Sequence, residues 1–365
     1  MKAFLRGLCV ALLIAAVGCG GDKPQPAATV GHLYAVGQGL NAVLALNVLS
    51  TGGLGPTSIG AFATNPRPVA MALHTSTNFL YVANLTANTV SGYSVDHTSG
   101  VLTPLGTALP PTATGPSPIA LGVGSTGQFL FVLNQGDSTV SVFSIDGTRG
   151  LLTQVGTPVP TGLTNPVAMT VSPTAPLLFI ATPTQISGFA IDASGGLTAA
   201  PGPFTAGTNL TGMQFDPKGQ HLYAADSGAN NVVSLTVAAS GSLTPVAGSP
   251  FAAGTQPVAV ATDATGAFVY VSNAGSNNVS GYKSNAGVLA QITGSPFSTQ
   301  GAGTTAVTQP GFLTVDATNN FVYVSNIATK SIASFGINPT DGSLSTITNS
   351  PFAVNVASSW LLATK

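Results

Sequence analysis

Ten aspartates, four histidines and nine lysines or arginines are nearly all the acid–base chemistry available to this 365-residue chain, and glutamate is absent. Activating water needs a base, and holding an anionic ligand needs a cation or several N–H donors. Asp137, Asp226, Arg67 and Lys330 stand apart from the repeated far-face turn positions described below. Asp137 or Asp226 is the candidate general base. Arg67 and Lys330 are candidates to receive a phosphate or carboxylate jointly. Asparagines recur in the same segments, at Asn84, Asn134, Asn230, Asn273, Asn277 and Asn326. Each offers a polar ligand both an amide donor and a carbonyl acceptor. The same residues also have a structural use, because Asn caps turns through nearby backbone and tolerates left-handed geometry.

Composition removes several other chemistries. Charged residues make up 5% and the formal net charge is −1, so the clustered Lys and Arg that neutralise nucleic-acid phosphates are missing. Cys9 and Cys19 both fall in the N-terminal segment. The rest of the chain therefore has no thiol for a disulfide, a thiolate metal site, a nucleophile or a CxxCH haem attachment. His32, His74, His97 and His221 fall in other segments than the four candidate residues, so neither a histidine triad nor a metal or other cofactor is expected. The N-terminus, MKAFLRGLCVALLIAAVGCGGDK, has a basic start and an apolar run from Leu8 to Val17 too short to span a bilayer. Its end, Ala16-Val17-Gly18-Cys19, resembles the lipobox of bacterial lipoproteins. That resemblance implies a signal segment over 1–18, a lipidated Cys19 and a polar tether over 19–29. The protein would then sit in the cell envelope, outside the cytoplasm, touching membrane only through its lipid.

The elements that position these residues form a repeat. FVYVSN occurs at Phe268–Asn273 and at Phe321–Asn326, with FLYVAN at Phe79–Asn84 and FLFVLN at Phe129–Asn134. Aligning on the central aromatic gives Tyr34, Tyr81, Phe131, Phe179, Tyr223, Tyr270 and Tyr323, spaced 44 to 53 residues apart. An apolar segment such as PVAMAL (from Pro68) or PVAVAT (from Pro257) begins thirteen residues before the aromatic, a VSGYSV-type segment follows it, and a fourth ends in GSPF or NSPF. Four short β-branched strands with turn signals, repeated seven times at this period, describe β-propeller blades. The expected fold is all-β: a seven-bladed β-propeller of four-stranded antiparallel blades over 30–365. The first unit lacks its PVAMAL segment, and Trp360–Thr364 is the spare strand that closes the ring. A closed ring has no long free edge, which implies a monomer.

In such a ring the loop into each inner strand and the loop from second to third strand share one face, the mouth. The four candidate residues and the asparagines fall there. Asp216, Asp263 and Asp316, and Asp96, Asp146, Asp192 and Asp341, fall in hairpin turns of the opposite face, as do His74 and His97. The spaced PxxxA…GxFxYVxNxxxxxVSxY…GxLTxxxGSPF unit resembles the YVTN-type propellers of the lactonase family, which includes 6-phosphogluconolactonase, over about residues 30–365. Members for which chemistry is proposed resemble one another in using His, Arg and Glu, and this chain has no Glu and no mouth His. Two functions follow. One is a binding module for a small ligand, glycan or protein at an Asn-rich mouth. The alternative is a lactone hydrolase acting on a sugar or carboxylated lactone.

Overall fold

The computed structural model describes residues 27–364 except 75–77, 107–111 and 302–306. The signal segment 1–18 and Cys19 lie outside the described residues. Seven antiparallel sheets form the blades. In blade 2 the strands run Pro68–His74, Phe79–Asn84, Thr89–Val95 and Leu102–Pro104, in that order from the channel outward. Each inner strand packs against the next around the ring. The inner strand of blade 1 is Ser358–Thr364, which pairs antiparallel with Thr29–Gly37, Tyr34 facing Leu362. The expected closure is therefore the observed one, with the first and last described strands in one sheet.

The hexapeptide builds the contacts between blades. Successive strand residues point to opposite faces. Thus Val269 and Val271 pack with Tyr223 and Ala225 of blade 5, while Phe268 and Tyr270 pack with Val322 and Val324 of blade 7. The tyrosine hydroxyls add a tie at the far face. Tyr34 donates to the Gly100 carbonyl of the following blade (3.0 Å), Tyr81 to Gly150 (2.8 Å), Tyr270 to Gly342 (2.8 Å) and Tyr323 to Gly52 (3.1 Å). Those glycines turn with positive φ, between 68° and 80°. They lie so close to the preceding blade that a Cβ on Gly342 would come within 2.3 Å of the Phe268 ring. Only glycine fits both demands.

The outer strand departs from the simple four-strand expectation. In blades 2 to 7 it is split, and a second two-residue segment such as Phe251–Ala252 pairs with the same third strand. The serine of the GSPF-type turn fills the gap. Ser249 Oγ accepts from Ser234 N (2.9 Å), Ser295 Oγ from Gly281 N (2.9 Å) and Ser350 Oγ from Ser334 N (2.8 Å). A hydroxyl thus replaces the missing ladder acceptor.

Candidate functional site at the propeller mouth

The inner strands surround an axial channel. Six of them carry one extra residue at the mouth end, just after their first position. Such a bulge takes a side chain out of the ladder and re-aims it. The residue at this second position lines the channel in every blade. Val69, Ile119, Val167 and Val258 make the apolar part of the ring, and Thr211, Gly311 and Ser359 the remainder. The cavity below has a volume of about 620 Å³, a size suited to a small organic ligand. Among the described residues its wall carries no charged side chain and no histidine.

The third position of the inner strand is small in five blades, as Ala70, Ala120, Ala168, Gly212 and Ala259. In blade 7 it is Phe312 and in blade 1 Trp360, and these two stack with centroids 4.0 Å apart and planes 21° from parallel. The aromatic pair lies on one side of the cavity wall. At the far end a smaller pocket of about 270 Å³ shares Val171 and Gln214 with the cavity and includes Asp216, Asp263 and Asp316. These carboxylates cap their own hairpins. Asp216 accepts from Gln220 N and His221 N, Asp263 from Phe268 N and Asp316 from Phe321 N. Among the described residues no group of three or more His, Cys, Asp or Glu side chains could hold a metal ion.

On the mouth itself the expected residues separate into three kinds. Asn84, Asn134, Asn273 and Asn326 are interior, at most 1% exposed. The first three donate to a serine seven residues on: Asn84 to Ser91 (2.9 Å), Asn134 to Ser141 (2.9 Å) and Asn273 to Ser280 (3.0 Å). Asn326 donates to Thr299 O and Ser331 Oγ. The expectation that these four face a ligand is therefore corrected: they anchor the turn below the surface. Asn230 and Asn277 are ties between blades. Asn230 Oδ1 accepts from Gln256 N (2.8 Å), and Asn277 Oδ1 from Thr308 N (2.8 Å) and Gln309 N (3.0 Å). Asn41 and Asn88 do the same for Arg67 N (2.9 Å) and Ser117 N (2.8 Å). Their carbonyls are occupied by the backbone of the next blade.

The charged residues remain. Arg67 and Lys330 are exposed and adopt left-handed backbone, with φ of 58° and 51°. They occupy repeated turn positions, and neither lines the cavity. Asp137 is exposed and, among the described residues, accepts only from Thr139, at its N (3.3 Å) and Oγ1 (2.8 Å). Asp226 is 2% exposed. One oxygen accepts from Asn209 N, Gly228 N and Ala229 N, the other from Thr208 N, and Thr208 Oγ1 lies within reach of both. Burial opposes its ionisation, but the N–H groups of Thr208 and Asn209 with the Thr208 hydroxyl outweigh that and hold the carboxyl below the usual carboxylate range. It is an anchor for the loop into the inner strand of its own blade, poorly suited to take a proton. The apolar channel wall and the Phe312–Trp360 pair were missed by sequence reasoning. The signal was present, as two aromatics in an alignment column otherwise filled by Ala and Gly.

The family model for Lactonase, 7-bladed beta-propeller, matches residues 41–171 and 211–356. The chain belongs to this lactonase family. The unmatched stretch between them covers most of blade 4, where Thr182 stands in place of the repeated Asn and Phe179 in place of Tyr. The structure is similar to that of a putative 6-phosphogluconolactonase from Bacteroides fragilis, at 16% identity and a TM-score of 0.75, covering 94% of this chain and 100% of that one. It is also similar to a periplasmic gluconolactonase of Pseudomonas aeruginosa, at 18% identity and a TM-score of 0.73, covering 92% and 99%. At such identities the likeness shows the fold alone. No curated protein sequence matches the chain.

Proposed function

We propose that this propeller binds a cyclic ester at its mouth and hydrolyses it, with Asp137 as the base that activates water. Membership of the lactonase family carries the reading, and the cavity beneath the mouth supplies a place for the substrate. Asp137 is preferred over Asp226 because its carboxylate is exposed and bonded only within its own turn. The carboxylate removes a proton from water as the oxygen attacks the lactone carbonyl. The ring C–O bond then breaks, and the proton passes to the departing alkoxide to give a hydroxy acid. Arg67 and Lys330 stand on the rim as cations for the product carboxylate. On this reading the protein is a monomer held by lipid at Cys19 in the cell envelope, and its substrate is met outside the cytoplasm.

A second reading is a binding module without turnover, favoured by the absence of any titratable side chain from the cavity wall. Purified full-length protein offered a panel of sugar, alkyl and aryl lactones separates the two. Hydrolysis above the spontaneous rate, falling at least 100-fold in Asp137→Asn, supports the hydrolase; loss of one catalytic base removes roughly 10²–10⁴ in rate. No turnover on any lactone leaves the binding module.

A further inference from the structure

We propose that the axial cavity takes the apolar part of the ligand, so that the preferred lactone is uncharged and carries an alkyl or aryl substituent. This inference rests on the lactone reading above and specifies its substrate class. The wall facing the ligand is built from Val69, Ile119 and Val258 at bulges and Val167 at the matching position of blade 4, with Met169 and Met213 deeper. Thr170, Thr211, Gln214, Gln309 and Ser359 are its polar side chains, all neutral. A phosphate or carboxylate moved into such surroundings loses its hydration without gaining a cation, which is strongly unfavourable. The exposed Arg67 and Lys330 can meet a charge at the rim, not inside.

The Phe312–Trp360 pair gives the cavity a flat aromatic wall. Both side chains are only part-buried although they occupy inner strands, and their blades replace an Ala or Gly by a large ring at this one position. The substitution supplies a surface on which a planar or chain-like apolar group can lie. The indole N–H of Trp360 has no hydrogen-bond partner among the described residues.

Trp360 is the single tryptophan of the chain, so its emission reports directly on the cavity. The full-length protein is titrated with a medium-chain alkyl lactone, dihydrocoumarin and glucono-δ-lactone. The alkyl and aryl lactones are expected to shift or quench the emission saturably, with a Kd at least tenfold below that for glucono-δ-lactone. They are also expected to protect Trp360 from acrylamide. Val258→Phe, which fills the wall, weakens their binding tenfold or more; acrylamide protection in the unsubstituted protein decides the matter should that variant fold poorly. Equal or tighter binding of glucono-δ-lactone, or no change in Trp360 emission with the apolar lactones, overturns the proposal. Failure here is distinct from failure of the hydrolase. Turnover of polar lactones with a silent Trp360 removes the substrate class alone, and saturable binding of apolar lactones without turnover removes the hydrolysis alone.

Discussion

At the scale of single residues, Asp226 shows how one position in the repeat can be rewired. Asn84, Asn134 and Asn273 pair with a serine seven residues on, whereas the chain has Val233 at that place after Asp226, which takes backbone N–H groups instead. Its folded pKa is lowered, so its contribution to stability is complete above the unfolded value of about 3.9 and is lost as pH falls through the folded value. Asp226→Asn puts an NH2 group where an N–H donor points and leaves that donor unpaired, which costs about 1–3 kcal/mol. Adding Val233→Ser should recover part of the loss by recreating the Asn–Ser pair. Urea denaturation at pH 7 and pH 3 checks this: the single variant is less stable at pH 7, and its stability falls less between the two. Equal stability of variant and parent at pH 7 would refute the anchor. Sequence placed all the mouth asparagines in the right loops. It did not separate interior from surface ones, because both occupy strand ends, and a serine seven residues on marks three of the four interior asparagines but also follows Asn277.

At the scale of elements, the aromatic of the hexapeptide is in five blades a tie as well as a packing residue. Its period was legible, since every unit repeats it. Its partner was not, because Gly150 lies 69 residues from Tyr81 and in another blade. In four blades the hydroxyl reaches a far-face glycine carbonyl, in Tyr223 it meets the Ser284 hydroxyl of the next blade, and in Phe131 and Phe179 it is absent. Tyr81→Phe strands the buried Gly150 carbonyl and should cost about 1–2 kcal/mol, within the range for a lost buried partner. Gly342→Ala should cost more, on the order of 3 kcal/mol, because a strained left-handed turn and overpacking against Phe268 add together. Thermal melts of the two variants give the ordering. A Gly342→Ala protein as stable as the parent would mean that blades 6 and 7 can part without cost.

At the scale of the whole molecule, ring closure was readable in the sequence because the first unit lacked a strand that the C-terminus supplied. The cavity was less readable, since a bulge and not the strand alternation decides which side chains enter the channel. Closure leads to a further expectation. Removing residues 358–365 deletes the inner strand of blade 1, with Leu361 that packs among Leu33, Ala35 and Tyr323. It also exposes the backbone edge of Thr29–Gly37 and takes away one side of the aromatic wall. A sheet with an open apolar edge pairs with other chains. Light scattering of the truncated chain should therefore show oligomers or aggregates, with a broadened melt, where the full-length protein is expected to be monomeric and to melt cooperatively. Adding the peptide SSWLLATK in excess should restore monomers and return a Trp emission like that of the intact channel. A truncated chain that stays monomeric, with a melting temperature within a few degrees of the parent, would mean that the six complete blades hold the ring without the closing strand.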